Sequence, residues 1–213
     1  MNALSKLLSF VLFPLFIPLY GIMLLTSTEF FSYYPEIYIR SSYISVAIFG
    51  TIIPMTCILI LYLLKVTSSM NLKEKKDRTI PYLLTAISYI LCGVSLYTLV
   101  FPTFVSAIVI AVAISLIIDA FVSRFWKISA HMTGMGALLG GTLIISYYMH
   151  IFPLFWIVTM VMISGLLASA RLYLKAHTPK QVIAGFFCGF LTTLFIPMLN
   201  WDAIFKFFFK VAA

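Results

Sequence analysis

The chain has 213 residues, of which 63% are hydrophobic and only 9% charged, and its mean hydropathy is +1.12. Soluble domains carry roughly 45–50% apolar and about 25% charged residues, so this chain lacks the polar surface to cover itself in water. Its net charge of +8 lies in short loops between apolar runs, which suits lipid headgroups or a phosphorylated ligand and argues against a nucleic-acid partner.

A helix needs about 20 apolar residues to cross a bilayer core, and seven candidates follow one another. The first, 7–26, comes after Lys6 and contains Pro14 and Pro18. It is long and lacks a small-residue cleavage pattern, so it reads as a retained span rather than a signal peptide. The others run over 43–64, 81–100, 104–121, 132–149, 154–170 and 181–199. Only 101–103 separates the third from the fourth, and only 150–153 the fifth from the sixth, so both pairs are expected to be tight hairpins. The tail 200–213 is aromatic with two lysines and suits a helix lying in the membrane interface.

The expected fold is therefore all-α, a polytopic membrane bundle of six to seven transmembrane helices in a single domain. Residues 1–64 hold the first two spans, 65–190 the core and 200–213 the interfacial tail. A bacterial inner membrane is the expected location, and no feature fixes the oligomeric state. Gly136 and Gly140, then Gly185 and Gly189, repeat at one-turn spacing, which lets helix backbones approach closely in lipid. Cys57, Cys92 and Cys188 all fall in apolar segments without metal-like spacing and read as small buried hydrophobes.

The charges separate by side. With seven spans, Lys6 and the loops 65–80, 122–131 and 171–180 share one face. That face holds eleven basic residues against Glu74, Asp77 and Asp119, about the whole net charge. The other face has Arg40, Lys206 and Lys210 against Glu29, Glu36 and Asp202, about zero. The positive-inside rule assigns the charged face to the cytoplasm. A phosphate site needs cations on whichever face it opens, so the rule does not decide the orientation.

A phosphate-ester site needs fixed positive charge, hydrogen-bond donors, a nucleophile such as neutral His, and an acid for the leaving oxygen. Three clusters on the charged face contain these types: 73–78 before the third span, Ser129-Ala130-His131 at the fifth, and Arg171 with His177 before the seventh. Each opens a helix, where the macrodipole also favours an anion. Arg171 and His177, six apart, are expected close to one side of a helix if that segment is helical. His150 lies in the opposite hairpin, where a structural role is expected.

These segments resemble a degenerate form of the type-2 phosphatidic acid phosphatase superfamily, whose signatures are K-x6-R-P, P-S-G-H and S-R-x5-H-x3-D. The third reads Ala170-Arg171-x5-His177-x3-Gln181, and the second Ile128-Ser129-Ala130-His131. The first keeps Arg78, but Thr79 replaces its proline and Asn71 its lysine; Lys75, three residues before Arg78, is the best substitute on a helix face. The resemblance covers about 65–190. It implies that His177 attacks phosphorus to form a phospho-histidine, that His131 protonates the leaving alcohol, and that Lys75, Arg78, Ser129 and Arg171 hold the phosphate oxygens. No metal or other cofactor is called for, and the implied partners are a phosphorylated lipid substrate and membrane lipids.

Gln181 stands where that family has an Asp to orient the nucleophile. An amide fixes a tautomer but does not stabilise an imidazolium, so Asp119 is the alternative orienting acid, or else a partner for Arg124 or Lys127. Two rivals follow: a relative that binds or moves phosphorylated lipids without hydrolysis, and a small transporter with a basic vestibule. The few polar residues deep in the spans rank the transporter last.

Overall fold

A computed structural model of the chain describes residues 2–99 and 101–209. Among them there is no strand, and eleven α-helices follow in order: α1 Asn2–Val11, α2 Ile17–Thr26, α3 Glu29–Ser32, α4 Glu36–Ala47, α5 Ile53–Leu63, α6 Thr79–Thr98, α7 Thr103–Val122, α8 Ala130–Met149, α9 Leu154–Tyr173, α10 Pro179–Phe195 and α11 Trp201–Phe209. Val100 and residues 210–213, including Lys210 and the end of the predicted tail, lie outside the described residues.

Six segments are long and apolar enough to cross a membrane, and the protein is a multi-pass membrane protein. The predicted first span is broken: α1 and α2 are separated by an extended Phe13 (φ −63°, ψ 135°) and a short 3-10 turn. Pro14 drives the break, because a proline ring disfavours helical backbone in the residue before it. The Tyr20 hydroxyl donates to the carbonyl of Val11 at 2.7 Å, satisfying an acceptor at the end of α1. The second span is one long rod in which α4 and α5 meet through a π-helical turn, Ile48–Ile52. Pro54, just beyond it, has no N–H to continue the ladder. Ser88 donates its hydroxyl to the Phe49 carbonyl at 2.6 Å, and Thr51 ties this turn to the Leu15 carbonyl at 2.8 Å.

The predicted fifth span, α8, is as long as its neighbours at 20 residues but is not among the six. Eleven of its residues are buried, against four in α9. A helix sheathed by protein rather than lipid has no need to be apolar all round, and α8 is rich in glycine instead. Its closest partner is α10. A Cβ on Gly136 would run into the Phe186 carbonyl, and one on Gly189 into the Thr133 carbonyl. Gly140 and Gly185 likewise lie against the carbonyls of Phe190 and Ser129. The two predicted glycine pairs lie on the same interface, and close backbone contact joins the first half of α8 to α10.

Candidate functional site

Three helices begin at the charged end, and their first residues bear the predicted clusters: Arg78 precedes α6, Ser129 precedes α8, and Thr178, next to His177, precedes α10. Two hydrogen bonds join these starts in series, and a third holds His177 against the last of them. Arg78, 5% exposed, donates from Nη1 to the Ile128 carbonyl at 2.6 Å. The Ser129 amide donates to the Gln181 carbonyl at 3.3 Å. Gln181 Oε1 in turn lies 3.2 Å from His177 Nδ1. Segments about fifty residues apart in the chain therefore hold one another directly.

Arg78 is also tied on its other side, Nε donating to the Leu72 carbonyl at 2.9 Å. Leu72 is buried and adopts a left-handed backbone (φ 47°), a costly conformation for a leucine. The same loop is pinned by Asp77, whose carboxylate accepts from both the amide and the hydroxyl of Ser68. Two bonds to carbonyls leave the rest of the guanidinium's five N–H donors for something else.

Ser129 occupies an N-cap position yet does not cap. Its hydroxyl makes no bond to the helix, is completely buried and has no partner within the protein. Arg171, in the last turn of α9, is half-buried, and its Nε is another buried donor without a partner. Arg171 and His177 do not share a helix as expected. The chain leaves α9 through a left-handed Lys175 (φ 52°), with Ala176 N–H bonded to the Arg171 carbonyl and Lys175 N–H to that of Leu172. This helix-ending motif reverses the backbone and lays His177 back toward the bundle.

The state of His177 follows from Gln181. Thr178 and Gln181 form a capping box, the Thr178 amide donating to Oε1 at 3.1 Å. That bond identifies Oε1 as the acceptor, so the His177 Nδ1 facing it carries the proton and Nε2 presents its lone pair. His177 is 8% exposed, and its pKa falls from 6.5 to about 4, first because burial penalises the charged ring and then because of the charges on Arg78, Arg171 and Lys127. The ring is neutral at pH 7, beside three cations.

The predicted residues are not all where they were expected. Lys75 is exposed and belongs to a 3-10 turn, Lys75–Asp77, rather than to a helix shared with Arg78; its Nζ reaches the Phe125 carbonyl at 3.4 Å. Lys127, named beforehand only as a partner for Asp119, is the lysine whose charge acts on His177. Its ammonium is half-buried, its pKa is lowered mainly by that burial, and it feels Arg78, Glu74 and Arg171. Asp119 is wholly buried and accepts from Thr133 Oγ1 at 2.7 Å. It does not orient His177, and it forms no ion pair with Arg124 or Lys127. Among the described residues the one ion pair is Arg40–Glu36, at the surface. His131 stands at the start of α8 with its Nε2 3.0 Å from the Ser9 carbonyl and its ring edge-on to Phe13 at 5.8 Å. A carbonyl only accepts, so Nε2 is the protonated nitrogen, and α1 holds the ring in place. His150 ends α8 in a left-handed turn, a structural position as expected. Among the described residues no group of His, Cys, Asp and Glu is arranged to hold a metal ion.

The arrangement offers a neutral imidazole with a bare nitrogen, two guanidinium groups and one ammonium, and a buried hydroxyl. The chain matches no family model, no curated protein and no solved structure.

Proposed function

We propose that the protein is an integral membrane phosphatase that hydrolyses a lipid phosphate monoester or diphosphate through a phospho-histidine intermediate, in what the sequence reading takes to be a bacterial inner membrane. The observation that carries the proposal is the bonding of Arg78 to Ile128, of Ser129 to Gln181 and of Gln181 to His177, with the Ser129 hydroxyl and Arg171 Nε buried and without partners among the described residues. Buried donors are normally satisfied, and a phosphoryl group accepts from several donors at once. A lipid substrate fits because the cations lie at one end of a transmembrane bundle, at the level where a membrane lipid presents its headgroup.

In this reading His177 Nε2 attacks phosphorus, and the bond from phosphorus to the leaving oxygen breaks. His131 gives that oxygen a proton from Nδ1, the nitrogen not held by the Ser9 carbonyl, and takes one back from the attacking water in the next step. Arg78, Arg171, Lys127 and Ser129 stabilise the charge on the remaining oxygens. Water then attacks the phospho-histidine, releasing phosphate and restoring the ring. Gln181 keeps Nδ1 protonated throughout and so keeps Nε2 the nucleophile.

The test is phosphate release by the purified protein in detergent from phosphatidate, phosphatidylglycerophosphate, undecaprenyl diphosphate and lysophosphatidate. The His177→Ala variant should lose at least about 10³-fold in rate, the scale seen when a nucleophile is removed. Release that persists in both His177→Ala and Arg171→Ala would sink the proposal. A second reading, a protein that binds or moves lipid phosphates without cleaving them, draws on Gln181 itself. An amide already committed to a capping box supplies no charge to stabilise an imidazolium. Binding without release, in wild type and in Gln181→Glu alike, is its signature.

A further inference from the structure

Beside the cationic end, an apolar cavity of about 110 Å³ runs between α2, α6, α7 and α8. Along α8 its wall extends from Ala130 to Ile145, about 22 Å of helix axis at 1.5 Å per residue, most of the depth of a bilayer core. Its upper end lies at the start of α8, where Ala130 and Thr133 border it and Ser129 and His131 are the chain neighbours of Ala130. We propose that this cavity receives the hydrocarbon chain of the lipid whose phosphate the cationic end binds, an inference that rests on the phosphatase reading and names its substrate as one with a long chain drawn into the protein.

The wall chemistry excludes a polar occupant. Four hydroxyls border the cavity, and each is already committed. Thr85 donates to the Pro81 carbonyl at 2.8 Å, Ser115 to that of Val112 at 2.7 Å, and Thr142 to that of Leu138 at 2.9 Å. Thr133 donates to Asp119 at 2.7 Å. Beyond them the phenol of Tyr89 is the remaining polar side chain on the wall. Water needs two to four polar partners to settle in a cavity, and apolar cavities stay dry. Protein interiors are otherwise packed without voids of this size. A chain whose headgroup is held at the start of α8, beside Ala130, is the apolar occupant that the geometry delivers there.

Glycine keeps the channel open. The Cβ of a residue at Gly21 would meet only Leu138 Cδ1, at 3.8 Å, so a larger side chain fits there and projects into the cavity without a backbone clash. Gly21→Leu therefore fills the cavity from α2, and Val112→Phe fills it from α7 on the opposite wall.

The test uses purified full-length protein and a long-chain alkyl phosphonate, a non-hydrolysable probe, carrying a diazirine along its chain. After irradiation, wild type should be labelled within 17–25 and 134–145. Both filling variants should lose that labelling and bind the probe at least 10-fold more weakly, while methylphosphonate binds all three proteins equally. A phosphocholine lipid with the same diazirine distinguishes a substrate chain from bulk lipid. Equal labelling of the cavity by that lipid, or labelling confined to the lipid-facing sides of the helices, overturns the inference. The phosphatase reading fails separately: probe labelling in the cavity with no phosphate release from any lipid refutes hydrolysis and leaves the chain site standing. Retention of labelling and affinity in both filling variants refutes the chain site whatever the protein hydrolyses.

Discussion

The two ends of the bundle are held together by different forces. At the end away from the basic loops, aromatic rings do most of the joining. Phe31 stacks on Phe101 at 5.4 Å, Phe104 on Tyr148 at 4.9 Å and Tyr97 on Phe205 at 4.1 Å, while the Tyr148 hydroxyl donates to the Pro197 carbonyl at 3.0 Å. At the basic end the joints are polar and run through backbone carbonyls, from Leu72 and Ile128 to Arg78 and from Gln181 to the Ser129 amide. Aromatic contacts hold without specifying charge. The basic end gathers Arg78, Arg171 and Lys127 around a neutral His177, and among the described residues no carboxylate pairs with any of them within 4 Å. Like charges brought together and partly buried work against folding. A bundle needing only stability would have closed this end as it closed the other.

The widest separation of the two ends is expected from Arg78→Lys. Lysine keeps the charge but loses the planar fork that reaches the Leu72 and Ile128 carbonyls together. Phosphate release should fall about 10²–10³-fold, the loss typical of one transition-state donor. The protein should also lose stability, about 1–3 kcal/mol for a buried carbonyl left unpaired, measured by thermal unfolding in the same detergent. A variant with unchanged release would place Arg78 on the structural side of the comparison and out of the site.

Much of this contrast was legible in the sequence, though unevenly. The spans follow from runs of apolar residues, and the glycine pairs at 136/140 and 185/189 marked faces of close helix approach without saying which two helices meet there. The clusters at Arg78, Ser129 and Arg171–His177 were visible because the basic loops sit between spans that return them to one face. Lys75 was misplaced because the i, i+3 argument presumes a helix, and the chain there forms a 3-10 turn that ends before α6. Lys127 contributes through its position beside Ile128 and Ser129, a property of the folded loop that no periodicity encodes. Asp119 looked like an orienting acid, but a carboxylate on α7 is drawn to the nearest hydroxyl, Thr133, across a packed interface. The part of Gln181 was written in the chain: Thr178-Pro179-Lys180-Gln181 is a capping box with proline in the first turn. It explains how an amide at this position reaches both the helix start and the histidine.

A sharper probe of the basic end is Gln181→Glu, which preserves the capping geometry and adds one negative charge beside His177 Nδ1. An opposite charge within hydrogen-bond distance raises the pKa of the ring, so His177 should titrate well above its wild-type value of about 4. The sign for stability follows. In wild type the folded ring resists protonation until about pH 4, whereas the unfolded chain takes up the proton near 6.5. Acidification from 6.5 to 4 therefore costs the wild type stability. The variant should lose less over that window. Histidine NMR titration with His177→Ala as the assignment control, and melting temperatures at pH 7 and pH 5, check both statements. An unshifted titration would mean that the side chain at 181 does not hold the ring in solution.

The smallest effect is expected at the aromatic end, and its smallness is the point. Tyr97 lies nearly parallel to Phe205, 10° apart in plane, and Phe205 in turn packs on Trp201 and Phe209, so one ring of α6 anchors the short amphipathic α11. Tyr97→Leu keeps the apolar bulk and removes the stack. The loss should be about 1 kcal/mol, the scale of one aromatic pair beyond its buried area, and a fall in melting temperature of roughly 2–4 °C for a chain of this size. Phosphate release should stay at the wild-type rate, because no contact of Tyr97 reaches the starts of α6, α8 or α10. A variant that melts a few degrees early and releases phosphate normally separates anchoring from chemistry. One that loses release as deeply as Arg78→Lys would show that the aromatic end sets the geometry of the cationic one, and the division of labour between the two ends would have to be abandoned.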